Sequence, residues 1–339
     1  MKKRHVNIPI FIPHLGCPNN CVFCNQRTIS GHGDFKIDSV RDEIDQALST
    51  LSEDTEREIA FFGGSFTGID RALMTELLDL AQSYVDRGLV SEIRLSTRPD
   101  YINTEILDIL SEYSVRTVEL GLQSMSDKVL SASKRGHDAE CALRACRAVK
   151  ERGFYLIGQM MIGLPESSSD DEVKTAELIC RAGADGARVY PTVVFADTEL
   201  AFMMSSREYS PLGLEDAVER TKRVLAVFDS FCVPCIRVGL CASENLRDAS
   251  KAIAGATHSA IGEMAMGELY YEKICAELDK AKINGGSLTV FVPLGSVSKA
   301  VGHKRINKTR ICEKYGLRSI KVLEKSELLG YNIILENNS

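Results

Sequence analysis

The sequence predicts an α/β fold: a partial (β/α)6 TIM-like barrel followed by a small C-terminal α+β module. Three observations predict it. Apolar, β-branched runs of strand length recur with helical patterns between them, and such repeats imply a parallel sheet joined by helical crossovers. The unusual residues fall at the C-terminal ends of those runs, the edge on which parallel α/β folds build ligand sites. The charge balance then changes near residue 285, where a second unit begins.

The first strand lies in "NIPIFIPHLG" (7–16) and leads into "CPNNCVFC" (17–24). The second, "EIAFFGG" (58–64), closes on Gly63-Gly64-Ser65, and a helix over 70–88 follows it, with Gly88 where a C-cap wants one. "VSEIRLSTRPD" (90–100) is the third, closing on Ser96-Thr97-Arg98, and "RTVELGLQS" (116–124) the fourth, closing on Gln123. A helix over 138–153, ended by Gly153, precedes the fifth strand, "FYLIGQMMIGLP" (154–165). The sixth, "GARVYPTVV" (186–194), is followed by the helical pattern "LEDAVERTKRVLAVFDSF" (214–231). The expected domains are a barrel over 1–240, a helical connector over 241–285 and a small module over 286–339.

A chain of 339 residues with 44% hydrophobic side chains buries a full core. A net charge of −6 argues against a protein that coats nucleic acid with its whole surface, and the lack of Trp argues against extended base-stacking platforms. The first residues, "MKKRHVNIPIFIPHLGC", mimic a lipoprotein leader, but Asn7, Pro9, Pro13 and His14 break its apolar core. No run reaches membrane-spanning length, so the expectation is a cytoplasmic protein with no membrane partner. There, eleven cysteines are expected to serve as thiols and metal ligands rather than disulfides.

Cys17, Cys21 and Cys24 form one tight C-x3-C-x2-C loop. A closed zinc site takes four ligands, commonly in two pairs, and no paired partner is evident. Three thiolates on a [4Fe–4S] cluster leave one iron for an external ligand, which is a reactive arrangement. A zinc site completed by a distant Cys or His, and a loop of incidental cysteines, are the alternatives.

With Phe23 just before the third cysteine, this loop resembles the signature of the radical S-adenosylmethionine superfamily. The resemblance implies a [4Fe–4S] cluster on Cys17, Cys21 and Cys24. It also implies S-adenosylmethionine on the free iron, reductive cleavage to a 5′-deoxyadenosyl radical, and an electron donor of flavodoxin or ferredoxin type. "FFGGSFTGI" resembles the family's glycine-rich segment that contacts the methionyl amino group, with Ser65 where Glu is frequent. "STRPD", "VELGLQS" and "MIGLPE" resemble the catalytic subunit of Elongator and oxygen-independent coproporphyrinogen dehydrogenase. The resemblance to the dehydrogenase places Gln123, Arg135 and Gln159 on the cofactor's ribose and carboxylate. Gln159 departs from the acid usual there, although an amide still hydrogen-bonds a hydroxyl. Phe23, Gly63, Gly64, Ser65 and Ser96 complete the expected cofactor set.

"RVYPTVVFADTEL" and "GGSFTG" resemble most the radical domain of the Elongator catalytic subunit, over roughly residues 6–240. The cysteine spacing here is the short superfamily one, and no acetyltransferase segment follows in this sequence. That relative's acetyl-coenzyme A chemistry is therefore not carried over. RNA is the expected substrate; a small molecule or tetrapyrrole is the second reading, and a non-catalytic cluster or tetrapyrrole carrier the third.

Cys232, Cys235 and Cys241 offer a second metal site only if a fourth ligand joins them, and packing is the expected role. Cys141, Cys146, Cys180, Cys275 and Cys312 lie in helical patterns and are expected to pack. His32 and His258 lie in small-residue loops near the strand ends. From residue 285 onward nine Lys/Arg face four Asp/Glu, whereas the rest of the chain is acidic. "LTVFVPLGSVSKAVGHKRINKTRICEKYGLRSIKVLE" (288–324) runs strand, short helix, tight turn, helix, strand, and resembles the core of a KH RNA-binding domain. In that domain a GxxG loop clamps the nucleic-acid backbone. Gly302-His303-Lys304-Arg305 occupies the loop, with Arg in place of the second Gly. Lys299, Lys304, Arg305, Lys308 and Arg310 are the expected RNA contacts.

Overall fold

A computed structural model describes residues 4–12, 20–24, 35–52, 54–240 and 250–338. Seven parallel strands stand side by side in chain order: β1 (Arg4–Ile12), β2 (Thr55–Gly63), β3 (Glu92–Thr97), β4 (Val115–Gln123), β5 (Tyr155–Ile162), β6 (Gly186–Pro191) and β8 (Cys235–Val238). The helices that return the chain are α1 (Ile37–Thr50), α2 (Arg71–Asp86), α3 (Thr104–Ser111), α4 (Asp127–Ala132), α5 (Ala139–Glu151), α6 (Ser169–Arg181) and α8 (Leu214–Ser230). Strands β1 and β8 form the two edges and do not pair with each other, so the barrel is partial, as expected. The seventh strand, Cys235–Val238, is four residues long and an addition to the six expected; it falls in the apolar strand-like run that the sequence shows between Cys235 and Cys241.

Alternation along the strands explains the layering. Ile8, Ile10, Ile12, Ile59, Phe61, Ile93, Leu95, Val118, Leu120, Leu122, Met160 and Val189 point one way, into a single core beneath the helices. The opposite, concave face carries Glu58, Arg94, Glu119, Gln159 and Arg188. Caps fix where the helices start: Asp70 accepts from the amides of Ala72 and Leu73, and Ser168 with Asp171 makes a full capping box at α6.

Beyond β6 the chain forms β7 (Val193–Phe195), α7 (Glu199–Ser205) and, after β8, β9 (Ala252–Gly255), which pairs antiparallel with β7. The long helix α9 (Ile261–Ala281) is shared between two cores. Its Ile261, Ala265 and Leu269 pack with Ala217, Val218 and Leu225 of α8. Its Tyr270, Ile274 and Leu278 pack under β10 (Ser287–Val292) and α11 (Ile306–Tyr315). The C-terminal sheet has β10 at its centre, parallel to β11 (Ser319–Glu324) and antiparallel to β12 (Ile334–Asn338). Between β10 and β11 lie α10 (Val297–Val301) and α11, joined by the turn at Gly302. This is the α+β module expected from the sequence, with β12 added.

Candidate functional site

The ends of β1, β2, β3 and β4 meet at one rim, and backbone constraints bring them together. Gly63 closes β2 at φ +104° with its Cα so near β1 that a Cβ would stand 2.5 Å from the Ile12 carbonyl oxygen. The amide of Gly64 donates to that same oxygen at 3.1 Å. The next residue, Ser65, is buried and shares a hydrogen bond with Thr97 at 2.7 Å, while Thr97 shares another with Thr67 at 2.6 Å. Ser65 Oγ also accepts from the amide of Arg98 at 3.1 Å. The expected glycine segment is thus bolted to the end of β3 by hydroxyls, a use of Ser65 and Thr97 that the sequence did not reveal.

Cys21 lies buried at this rim, 6% exposed. Cys24 donates its amide to the Cys21 carbonyl at 2.9 Å, closing a tight turn. The loop is anchored on both sides, since Val22 donates its amide to Ser133 and accepts from the amide of Leu200. Val22 and Phe23 pack with Val194, Leu200 and Tyr209, so Phe23 joins the apolar support of the loop. Cys17 lies outside the described residues, as do His32 and Cys241.

Two buried guanidinium groups face the Cys21 thiol. Arg135 Nη1 donates to Sγ at 3.2 Å and Nη2 donates to the Gly121 carbonyl at 2.6 Å. Arg98 Nη1 approaches the same sulfur at 3.7 Å. Arg98 also donates Nη2 to the Arg135 carbonyl and is forked onto Asp100 at 2.9 and 2.8 Å. Gln123 ends β4 in the left-handed region, φ +69°, and among the described residues its buried Oε1 has no partner, nor does the buried Nε of Arg135. An unpaired acceptor and an unpaired donor at one rim fit a bound polar cofactor, because such atoms are costly to bury alone. A Cβ on Gly121 would come within 3.0 Å of Gln123 Nε2, so the glycine leaves room for that amide.

Ser96 and Gln159 lie deeper. Ser96 stands beside Glu119 in the β3–β4 register, and Gln159 lies between Gly121 and Arg188. Beside them runs an ionic row on the concave face: Arg94 bridges Glu58 at 2.8 Å and Glu119 at 2.9 Å, and Arg188 Nε lies 2.8 Å from Glu119. Burial pushes Glu58 up, but hydrogen bonds from Glu92, Arg94 and His5 outweigh it and hold the carboxyl below its usual range. Burial and its hydrogen bond to Glu58 push Glu92 up to about 7. These charges interrupt apolar strands at alternate positions, which was the readable signal for a polar barrel interior.

Elsewhere the residues separate. Burial pushes the Cys235 thiol up to about 12, and its Sγ donates to the Arg237 carbonyl at 3.3 Å, while Cys232 is exposed. Among the described residues no group of three or more His, Cys, Asp or Glu is gathered for a metal. In the C-terminal module Lys304 and Arg305 are exposed, and Lys299 and Lys308 are half-buried. Arg310 is engaged by Glu268 and lies over the Tyr271 ring at 3.8 Å. The rings of His258 and His303 meet edge to face at 6.0 Å, placing the module's turn against the loop before α9. Among the described residues no helix is long and apolar enough to cross a membrane.

Comparison with known proteins accords with this geometry. Residues 11–179 match the radical SAM superfamily, and residues 184–271 match the radical SAM C-terminal domain. An uncharacterized protein of Methanocaldococcus jannaschii is 30% identical over 227 residues, 62% of this chain and 68% of that protein. Elongator complex protein 3 of Homo sapiens is 29% identical over 256 residues, 63% of this chain and 47% of that protein. The tRNA uridine(34) acetyltransferase of Methanocaldococcus infernus is 31% identical over 128 residues, 37% of this chain and 24% of that protein. The solved structure of Methanocaldococcus infernus Elp3 superimposes with a TM-score of 0.62 at 20% identity, over 80% of this chain and 63% of that one, and shares its fold. The chain therefore spans less than two thirds of these Elongator relatives. With both segments matched and the rim built as described, the chain belongs to the radical SAM superfamily, enzymes that use a [4Fe–4S] cluster and S-adenosylmethionine.

Proposed function

We propose that this enzyme modifies RNA of a tRNA-like kind. Cys17, Cys21 and Cys24 hold the cluster, and Gly63, Gly64, Ser65, Gln123 and Arg135 hold S-adenosylmethionine. When bound, cluster and cofactor supply reductive cleavage of the sulfonium and hydrogen abstraction from the substrate. The chain's own residues hold and orient. Gly63 and Gly64 bring bare backbone to the rim, Gln123 offers an acceptor and Arg135 a cation. The apolar packing of Val22 and Phe23 keeps water from the cysteine loop. An electron donor of flavodoxin or ferredoxin type feeds the cluster.

The observation that carries the RNA reading is the Gly302–Arg305 turn. It joins two helices of a β-α-α-β unit and presents Lys304 and Arg305 to solvent, the arrangement in which such a loop grips a phosphate backbone. The name of one relative, a tRNA uridine(34) acetyltransferase, supports the same substrate class. The test is to compare modified nucleosides in RNA from cells with and without the protein. Reconstituted enzyme is then supplied with dithionite, S-adenosylmethionine and the unmodified RNA. Loss of one modified nucleoside and its restoration in vitro, with 5′-deoxyadenosine released, is expected. Identical nucleosides in both cell lines would count against RNA as the substrate.

A further inference from the structure

We propose that Arg98 is a positioning residue for the cluster, one that sets its reduction potential through the Cys21 sulfur. The inference rests on Cys21 being a cluster ligand. Arg98 is 5% exposed and every part of it is fixed. Its amide donates to Ser65 Oγ at 3.1 Å, which ties it to the glycine turn. Nε and Nη2 fork onto Asp100, Nη2 also reaches the Arg135 carbonyl, and Nη1 lies 3.7 Å from Cys21 Sγ. A guanidinium cannot lose its proton in a protein, so this is a permanent positive charge in a buried place.

Reduction adds one negative charge to the cluster, and a cation at a ligand sulfur stabilises the more negative state. The charge acts at low effective dielectric because solvent is excluded from Arg98 and Cys21 alike. The grip on the Arg135 backbone has a second effect. It holds the second guanidinium, whose Nη1 lies 3.2 Å from the same sulfur, in register with the first. One sulfur thus receives two cations from the ends of two different segments, and Arg98 is the one that joins them.

The test is a redox titration, followed by electron paramagnetic resonance, of anaerobically reconstituted holoenzyme with four irons per chain. Arg98→Met is expected to lower the equilibrium constant for one-electron reduction at least tenfold, a midpoint about 59 mV more negative. Arg98→Lys keeps the charge and is expected to retain most of the wild-type midpoint. If Arg98→Met does not hold four irons, Arg98→Gln, which keeps a donor without the charge, replaces it with the same expected shift. A wild-type midpoint in a fully loaded uncharged variant overturns the proposal, as does an equal shift in Arg98→Lys. Failure of the ligand assignment is separately visible, because Cys21→Ala would then retain its full iron and sulfide.

Discussion

Gly63 and Ile12 approach so closely that only a residue without a Cβ fits, since the Ile12 carbonyl oxygen would stand 2.5 Å from it. That contact sets the height at which the second strand leaves the sheet, and so where Gly64 and Ser65 enter the rim. Gly63→Ala meets both a backbone oxygen and a φ of +104°, and is expected to cost more than about 2 kcal/mol in chemical denaturation. Gly88, at φ +69° with nothing within 4 Å, is the control, and Gly88→Ala should cost only about 1 kcal/mol. Equal costs would show that the close approach is unimportant.

A second prediction concerns Gln123. Among the described residues its buried Oε1 has no partner, and its backbone is held at φ +69°, so the side chain is aimed without being satisfied there. Gln123→Ala should weaken S-adenosylmethionine binding about tenfold, the effect of losing one buried hydrogen bond. Iron content should stay at the wild-type level. Equilibrium dialysis with labelled cofactor measures this, and an unchanged Kd would remove Gln123 from the cofactor site.

The six long strands were legible because a parallel sheet covered by helices needs near-continuous apolar runs. Strand β8 stood only as an apolar strand-like run between Cys235 and Cys241, because four residues carry no period, and the β7–β9 pair was not legible, because Val193 and Gly255 meet only through the fold. The same limit explains the site. Cys21 and Arg135 are 114 residues apart, and Arg98 stood in the sequence as one residue of a strand-closing "STRPD" with nothing to tie it to a sulfur 77 positions earlier. Spacing identified the cysteines because their chemistry is local. The cations around them are assembled by topology. Likewise Glu58, Arg94, Glu119 and Arg188 were visible as charges inside strands, but their mutual pairing depends on register.

That ionic row yields a pH dependence with a definite sign. Glu92 is pushed up from 4.5 to about 7 by burial and by its bond to Glu58. As pH rises from 4.5 to 7 the unfolded chain releases this proton while the folded chain keeps it, so stability falls across that window. Glu92→Gln keeps a donor toward Glu58 and removes the titration. It should match wild type within about 0.5 kcal/mol near pH 4.5 and exceed it at pH 8, in melting curves taken across the range. Parallel curves for the two proteins would mean that Glu92 titrates alike in both states.

The turn at Gly302–Arg305 separates stability from binding in one substitution. Arg305 precedes α11 at φ +63°, ψ +21°, a conformation that costs a side chain about 1 kcal/mol and costs glycine little. Arg305 is exposed, so nothing in its burial compensates for that strain. Retaining Arg there is understandable if its charge meets a phosphate. Arg305→Gly should therefore stabilise the protein by up to about 1 kcal/mol and weaken its binding to RNA, with a shallower dependence on salt. Lys304→Glu combined with Arg305→Glu should abolish most of the binding and leave iron content unchanged. Filter binding at several salt concentrations, beside denaturation of the same samples, decides it. A stabilised Arg305→Gly protein that binds RNA as tightly as wild type would leave the arginine, and the turn, without a part in recognition.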